Sequence, residues 1–293
     1  MQSYIFILYT FTVQHIEFFD IDHFENYYHR VKPTKEIMHL IDFFWETKFD
    51  DLLQQNPDGF SDALFPNIGY TYLINLGTPF TMQVDEKRFE MKSDGFLPRN
   101  KSIECFHRPG NRLFGVKFKV SPVIFEKKVN FSEYREYIFP LSYLLDQQII
   151  ANVKKANDFN ERVTILTAHF QTMVQKPTIS LRLVHIVTEI LEHCNATNNF
   201  TTSIQELASK YKVSTRTLQR YFEITTSISS KQALQILRIR KATHQLATSP
   251  ADFHFSLYGY YDKSHFYKHL KKFLRKETLQ NLKPHLKLLE GLR

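Results

Sequence analysis

Ser203-Ile-Gln-Glu-Leu-Ala-Ser-Lys-Tyr-Lys-Val-Ser-Thr-Arg-Thr-Leu-Gln-Arg-Tyr-Phe222 decides the architecture of the last third of this 293-residue chain. Ser203 and Glu206 stand at the spacing of a capping box, so a helix is predicted to start there. Ile204, Leu207, Ala208 and Tyr211 then fall at i, i+3, i+4 and i+7, the inward stripe of a short helix. Val213 seals a turn, and Ser214 offers a second N-cap after only a few residues, so the next helix leaves at a steep angle. In that helix Leu218, Tyr221 and Phe222 face inward, while Thr215, Arg216, Gln219 and Arg220 share the outer face. A charged outer face is ordinarily just solvated. Here it lies on the second helix of a cap–helix–turn–cap–helix unit, and its Arg and Gln side chains carry the donor and acceptor pairs that fit guanine and adenine edges.

Working outward, Gln232 to Ala247 reads as a connecting helix, with Ile239, Ala242 and Leu246 on one stripe and Arg238, Arg240 and Lys241 interspersed. About 16 residues at 1.5 Å each span roughly 24 Å; with the width of the flanking helices this suits two reading heads about one DNA turn, roughly 34 Å, apart. A second, looser unit centres on Tyr258-Gly-Tyr-Tyr-Asp-Lys-Ser-His-Phe266. Gly259 suits a left-handed turn and Asp262 the N-cap of the next helix. Phe266, Leu270 and Phe273 point inward, and Lys263, Ser264, Tyr267, Lys268 and Lys271 outward, a set suited to phosphates and base edges. His265 and His269, four apart, lack a third metal ligand nearby.

Charge divides along the same line. From Thr201 onward there are 17 Lys and Arg against 6 Asp and Glu, a net +11, whereas residues 1–200 carry 21 against 24, a net −3. A basic unit joined to a near-neutral one points to a polyanion reader attached to something with another task.

The segments SIQELASKYKVSTRTLQRYF (203–222), LRIRKATHQL (237–246) and YGYYDKSHFYKHLKKF (258–273) resemble the DNA-binding domain of the AraC/XylS-type transcription regulators, over about 85 residues and with both motifs in order. The resemblance implies sequence-specific binding of double-stranded DNA in two adjacent major grooves. Its first recognition helix falls on Ser214 to Glu223, with Arg216, Gln219 and Arg220 at contact positions. The second falls on Asp262 to Lys272, with Lys263, Ser264, Tyr267 and Lys268. Further partners it implies are RNA polymerase, a small-molecule effector and a second copy of the chain. The sequence departs from the family where a glycine and then a proline usually follow each recognition helix: Ser227 and Ser230 stand there first, Arg275 and Thr278 second. Loss of a left-handed glycine costs about 1 kcal/mol if the backbone keeps that shape. Phe255 also stands where the family prefers alanine.

The first 200 residues read differently. Residues 33–58 fit either a helix, through Ile37, Leu40, Ile41 and Phe44, or a strand pair. From Asp62 to Val120 the period is two, in runs such as 70–75 and 114–120 separated by turn signals at Pro66-Asn67, Gly77-Thr-Pro79, Asp94-Gly95 and Arg108-Pro-Gly-Asn111. Six of the eight glycines fall between Gly59 and Gly115. This predicts a small barrel or sandwich. The stretch Pro33 to Phe125 resembles, more weakly, the β-rich sensor domains of the same family. Helical spacing returns after Pro122: Asp158 caps a helix bearing Val163, Leu166, Phe170 and Met173, and a helix after Pro177 bears Leu183, Val187, Ile190 and Cys194. These two could pair chains or brace the linker formed by 195–199. The expected fold is therefore α+β and multidomain. A β-rich, cupin-like sensor unit spans 1–130, a helical connector 131–198, and an all-α unit with two helix-turn-helix motifs 199–293.

Other chemistries find little footing. Tyr4 to Val13 lacks the basic lead and cleavage site of a signal peptide, no run reaches the roughly 18 apolar residues of a membrane span, and two distant cysteines suit a reducing cytoplasm. No Gly-rich phosphate loop, nucleophile elbow or Cys-x-x-Cys occurs, and a cupin-type metal centre would have only His107 with Glu104. No enzyme activity, cofactor or metal is expected. Trp45, Tyr70, Tyr72, Arg99 and Arg108 could line an effector pocket, or be the core and rim of the β unit. Two competing readings are a sequence-tolerant architectural DNA binder and a cupin-like enzyme with an appended DNA-binding unit.

Overall fold

The computed structural model describes residues 13–125, 138–175 and 181–286; most of the apolar stretch 4–13 and Pro177 lie outside them. Strands β1 (Gln14–Ile16), β2 (Tyr28–Val31), β3 (Ile41–Thr47), β4 (Phe60–Leu64), β5 (Tyr70–Asn75), β6 (Phe80–Val84), β7 (Lys87–Met91), β8 (Gly95–Pro98), β9 (Ile103–His107), β10 (Leu113–Phe118) and β11 (Phe139–Pro140) form two sheets. One has the order β1-β4-β9-β6-β7 and the other β11-β8-β5-β10-β3-β2, all pairs antiparallel except β1 with β4. Short helices α1 (Ile21–Asn26) and α2 (Asp50–Gln55) fill connections. Leu73, Leu97 and Leu113 of the larger sheet meet Phe80, Met82, Ile103 and Cys105 of the smaller in one buried cluster, so the sheets face each other as a sandwich.

Residues 41–47 form a strand, and a register shift explains why they also fit a helix. Across β3, Lys117 pairs with Phe43 but Phe118 with Ile41, leaving Asp42 as the extra residue of a bulge. A bulge flips the alternation, so Ile41 and Phe44 reach the same face at a helix-like spacing of three. Both are fully buried, with Ile37 and Leu40, against the connector helices. Those are α3 (Gln147–Lys155), α4 (Phe159–Gln175) and α5 (Leu181–Thr197). Asp158 accepts from the Glu161 amide at the start of α4 as its position suggests. Phe159, Leu166, Phe170 and Val184 cover the outer face of the larger sheet, and Ile186, Val187 and Ile190 on α5 join the core of the C-terminal helices. Within the chain, α4 and α5 act as braces. No helix among the described residues is long and apolar enough to cross a membrane.

The remaining helices are α6 (Ile204–Lys210), α7 (Thr215–Thr226), α8 (Ser230–Thr248), α9 (Lys263–Leu270) and α10 (Lys276–Leu286). The Ser203–Glu206 capping box closes in both directions, Ser214 accepts from the Thr217 amide and Asp262 from His265, so all three N-caps are where the sequence places them. The second unit opens differently. Residues 250–252 and 255–258 make two single 3-10 turns where a helix-turn-helix has its first α-helix. The core under these helices also takes in Ile16, Ala63, Phe65 and Ile68 of the β half, as one continuous cluster.

Candidate nucleic-acid interface and inter-sheet cavity

On α7, Leu218 and Phe222 are fully buried, which turns the opposite side to solvent. Thr215, Arg216 and Arg220 are exposed there. Gln219 is placed otherwise. Its Nε2 donates to Glu223 Oε1 at 3.3 Å and its Oε1 accepts from Ser230 Oγ at 3.0 Å, so both ends of the amide already brace the turn into α8. On α9, Phe266 and Leu270 are buried, while Ser264 and Lys268 are exposed. Lys263 and Tyr267 are half-buried, with the ammonium 5.9 Å from the Tyr267 ring centroid. Both rows thus have apolar undersides and mostly polar outer sides. His265 and His269 do not form a pair: His265 is exposed, whereas His269 is buried with its Nδ1 2.5 Å from the Tyr260 hydroxyl. Burial, then the nearby Arg238 charge, pushes the His269 pKa down to about 4.

The two departures at family-glycine positions differ in kind. Ser227, the C-cap of α7, does take the left-handed conformation at φ 60°, so strain is expected. Its hydroxyl is hydrogen-bonded to that of Tyr70 on β5, and Ser121 N donates to Thr225 O at 2.6 Å beside it. Arg275 has no positive φ, and its guanidinium meets Glu104 of β9 at 2.5 Å. The turn after each recognition helix is therefore fastened to the sheets.

Between the sheets lies a cavity of about 440 Å³. Trp45, Leu64, Leu73, Met82, Leu97 and Leu113 give it an apolar interior, and Arg240, His244 and Thr248 of α8 close one side. Of the residues singled out from sequence, Trp45 and Arg99 line this space. Tyr70 and Tyr72 do not, because alternate residues of a strand face opposite ways: Thr71 and Leu73 look into the cavity, and the tyrosines pack outward against the connector. Arg108 is exposed in the turn after β9 and is not part of the lining.

Charged residues in the cavity wall come from widely separated segments. Arg240 donates to Glu17 Oε1 at 2.8 Å and to the carbonyls of Phe65 and Pro66 at 3.2 and 3.1 Å. Burial alone would raise the Glu17 pKa, but Arg240 outweighs it and holds the carboxyl below its usual range. Lys117 donates to the carbonyls of Ile68 and Phe118, and burial drives its pKa well below that of a free lysine. Glu17, Lys117 and Arg240 carried no sequence signal, since each reads as an ordinary polar position in its own element.

Beside the cavity, Asp62 is fully buried, with His23 Nε2 2.9 Å and His107 Nε2 3.3 Å from its two oxygens and the Tyr28 hydroxyl donating to it. His15 stacks on His23 at 3.7 Å. Burial would raise the Asp62 pKa, yet the close approach of His107 and His23 holds it well below the carboxylate range. Among the described residues, no three His, Cys, Asp or Glu side chains are arranged to hold a metal ion.

No protein-family model and no curated protein sequence matches the chain. Several solved structures share a loose likeness, among them two of ToxT and one of CuxR. ToxT from Vibrio cholerae O395 is 11% identical, with 78% of this chain and 92% of that chain covered, at a TM-score of 0.41. Unsaturated fatty acid-bound wild-type ToxT from Vibrio cholerae strain SCE256 is 9% identical, over 73% of this chain and 88% of that one, at 0.40. The AraC-like transcriptional activator CuxR is 9% identical, over 70% and 75%, at 0.25. Likeness at this level carries no weight for function, which rests on this chain's own side chains.

Proposed function

We propose that this chain is a transcription regulator of the AraC/XylS type, which reads double-stranded DNA in two adjacent major grooves through α7 and α9. One observation carries this reading: two capped recognition helices with buried apolar undersides and polar or basic outer rows, joined by α8, within the segment of net charge +11. Arg216 and Arg220 are assigned to base edges and phosphates in the first groove, with Thr215 beside them. Lys263, Ser264, Tyr267 and Lys268 are assigned to the second. Gln219 serves first as a brace for the turn and reaches a base only if its bonds to Glu223 and Ser230 open. The regulator divides into a sensor unit over 1–130, a connector over 131–198 and a DNA-binding unit over 199–293.

The cavity is the proposed effector site. Apolar walls with the Arg99 guanidinium among them suit a molecule with an apolar body and an anionic head. Because α8 forms one wall, an occupant also touches the helix that joins the heads, which gives a route from cavity to DNA.

Selection of duplexes from a randomised pool tests the DNA reading. A regulator enriches one sequence, with affinity falling steeply as salt rises; an architectural binder shows the salt slope without enrichment, and an enzyme with an appended DNA-binding unit shows substrate turnover that survives Arg216→Ala. On the enriched duplex, Arg216→Ala is expected to cost about 1–3 kcal/mol and to relax selection at one base pair. Equal weakening on every sequence would show that Arg216 contacts phosphate only.

A further inference from the structure

The segment Arg238-Ile-Arg-Lys241 in the middle of α8 has the composition of a phosphate-binding stripe, yet all three cations are used inside the molecule. Arg240 is held by Glu17 and the Phe65 and Pro66 carbonyls of the β half. Lys241 donates to the carbonyl of Asn195 at the end of α5. Arg238 goes to the second head: one of its terminal nitrogens donates to the Gly259 carbonyl, and its guanidinium carbon lies 3.8 Å from the Tyr260 ring centroid. Two residues along a helix are about 200° apart around its axis, so Arg238 and Arg240 leave α8 on nearly opposite sides. One side is fixed to the sandwich and the other to the turn that launches α9.

The contact at Arg238 continues into the recognition helix. Tyr260 is 2% exposed, its ring packs edge-on against Phe266 at 5.3 Å, and its hydroxyl meets His269 Nδ1; both partners belong to α9. Gly259 holds the left-handed conformation at φ 69° that lets the chain turn there. Most of the remaining seam between α8 and the second head is apolar, with Ile239, Ala242 and Leu246 against Phe253, Tyr258 and Phe266 in one cluster. Apolar packing is not directional and leaves the angle of a head loosely set. A planar guanidinium that stacks on one ring and bonds one carbonyl fixes an angle. Two turns further along α8, Gln245 accepts from the Tyr258 hydroxyl, which holds the opening turn of the head but not the start of α9.

We propose, resting on the DNA-reading function above, that Arg238 is the positioning residue that sets the second recognition helix against the first and so fixes the one spacing of two DNA boxes that the chain accepts.

The probe is the full-length protein with a duplex enriched from a randomised pool by the wild type, and with versions carrying one or two extra base pairs between its boxes. Each added pair moves one box by roughly 3.4 Å and rotates it by roughly 35°. Wild type is expected to lose at least about tenfold in affinity per insertion. Arg238→Gln is expected to bind the original spacing about tenfold more weakly, and to lose less than about threefold on insertion. Arg238→Lys, which keeps the charge and stem but not the planar fork, is expected to follow Gln; it also serves if Gln fails to fold by circular dichroism. Tyr260→Phe keeps the ring under the guanidinium and should retain the wild-type spacing preference. Spacing discrimination unchanged in both Arg238 variants overturns the proposal. An enriched duplex with a single box also overturns it, and cuts the DNA reading back to one head while leaving sequence recognition itself intact; no enrichment at all removes both.

Discussion

Ser227 combines two opposing effects at one position. Its left-handed backbone favours glycine by about 1 kcal/mol, while its hydroxyl bond to Tyr70 contributes roughly as much. Ser227→Gly should therefore leave stability nearly unchanged, and Ser227→Ala, which keeps the strain and loses the bond, should cost about 1 kcal/mol or more in urea melts. A glycine variant no more stable than the alanine variant would show that the backbone there is not strained. His269 gives a pH effect with a definite sign. Its folded pKa of about 4 lies below the ordinary histidine value of 6.5, so the unfolded chain takes up the proton first as pH falls. The stabilisation from keeping this imidazole neutral is complete above pH 6.5 and is lost progressively down to about 4. His269→Gln should flatten the slope of stability against pH across that window; an unchanged slope would assign it to the carboxylates and other histidines.

At the scale of elements, Gly115 and Trp45 are opposite each other across β10 and β3, and a Cβ at Gly115 would stand 2.2 Å from the indole. A rigid ring cannot yield as a flexible chain end does, so Gly115→Ala is expected to cost about 1–3 kcal/mol and to shift the emission of Trp45; an unperturbed spectrum would mean that the strands part instead. This pair also marks the limit of what the sequence discloses. Helices α6, α7 and α9 were legible because their signals are local: a capping serine or aspartate, a stripe at three and four, and a turn residue. Strand β3 was ambiguous because the bulge at Asp42 disguises its period. The α-helix missing from the start of the second head was foreshadowed only by Phe255. Three of the five suggested cavity residues lie outside its lining: Arg108 sits in an exposed turn, and for Tyr70 and Tyr72 the alternation in 70–75 tells which residues share a face but not which face looks inward. The wiring of Arg238, Arg240 and Lys241 was hidden as well, because their partners lie from 21 to 223 residues away.

For the whole molecule, the decisive feature is the core that runs from Ile16, Ala63, Phe65 and Ile68 into the C-terminal helices, with Glu104–Arg275 and Glu17–Arg240 at its margins. Two halves that share a core are expected to unfold together. Urea transitions followed by Trp45 emission, in the sandwich, and by helical circular dichroism should coincide, and residues 199–293 alone should melt at lower urea. Separated transitions would show that the shared core adds little coupling. Trp45 is the only tryptophan of the chain and stands in the cavity wall. Nature has thereby placed a single lamp in the chamber: any guest that displaces water from its indole should alter colour or brightness without a dye, so occupancy can be followed in the unlabelled molecule.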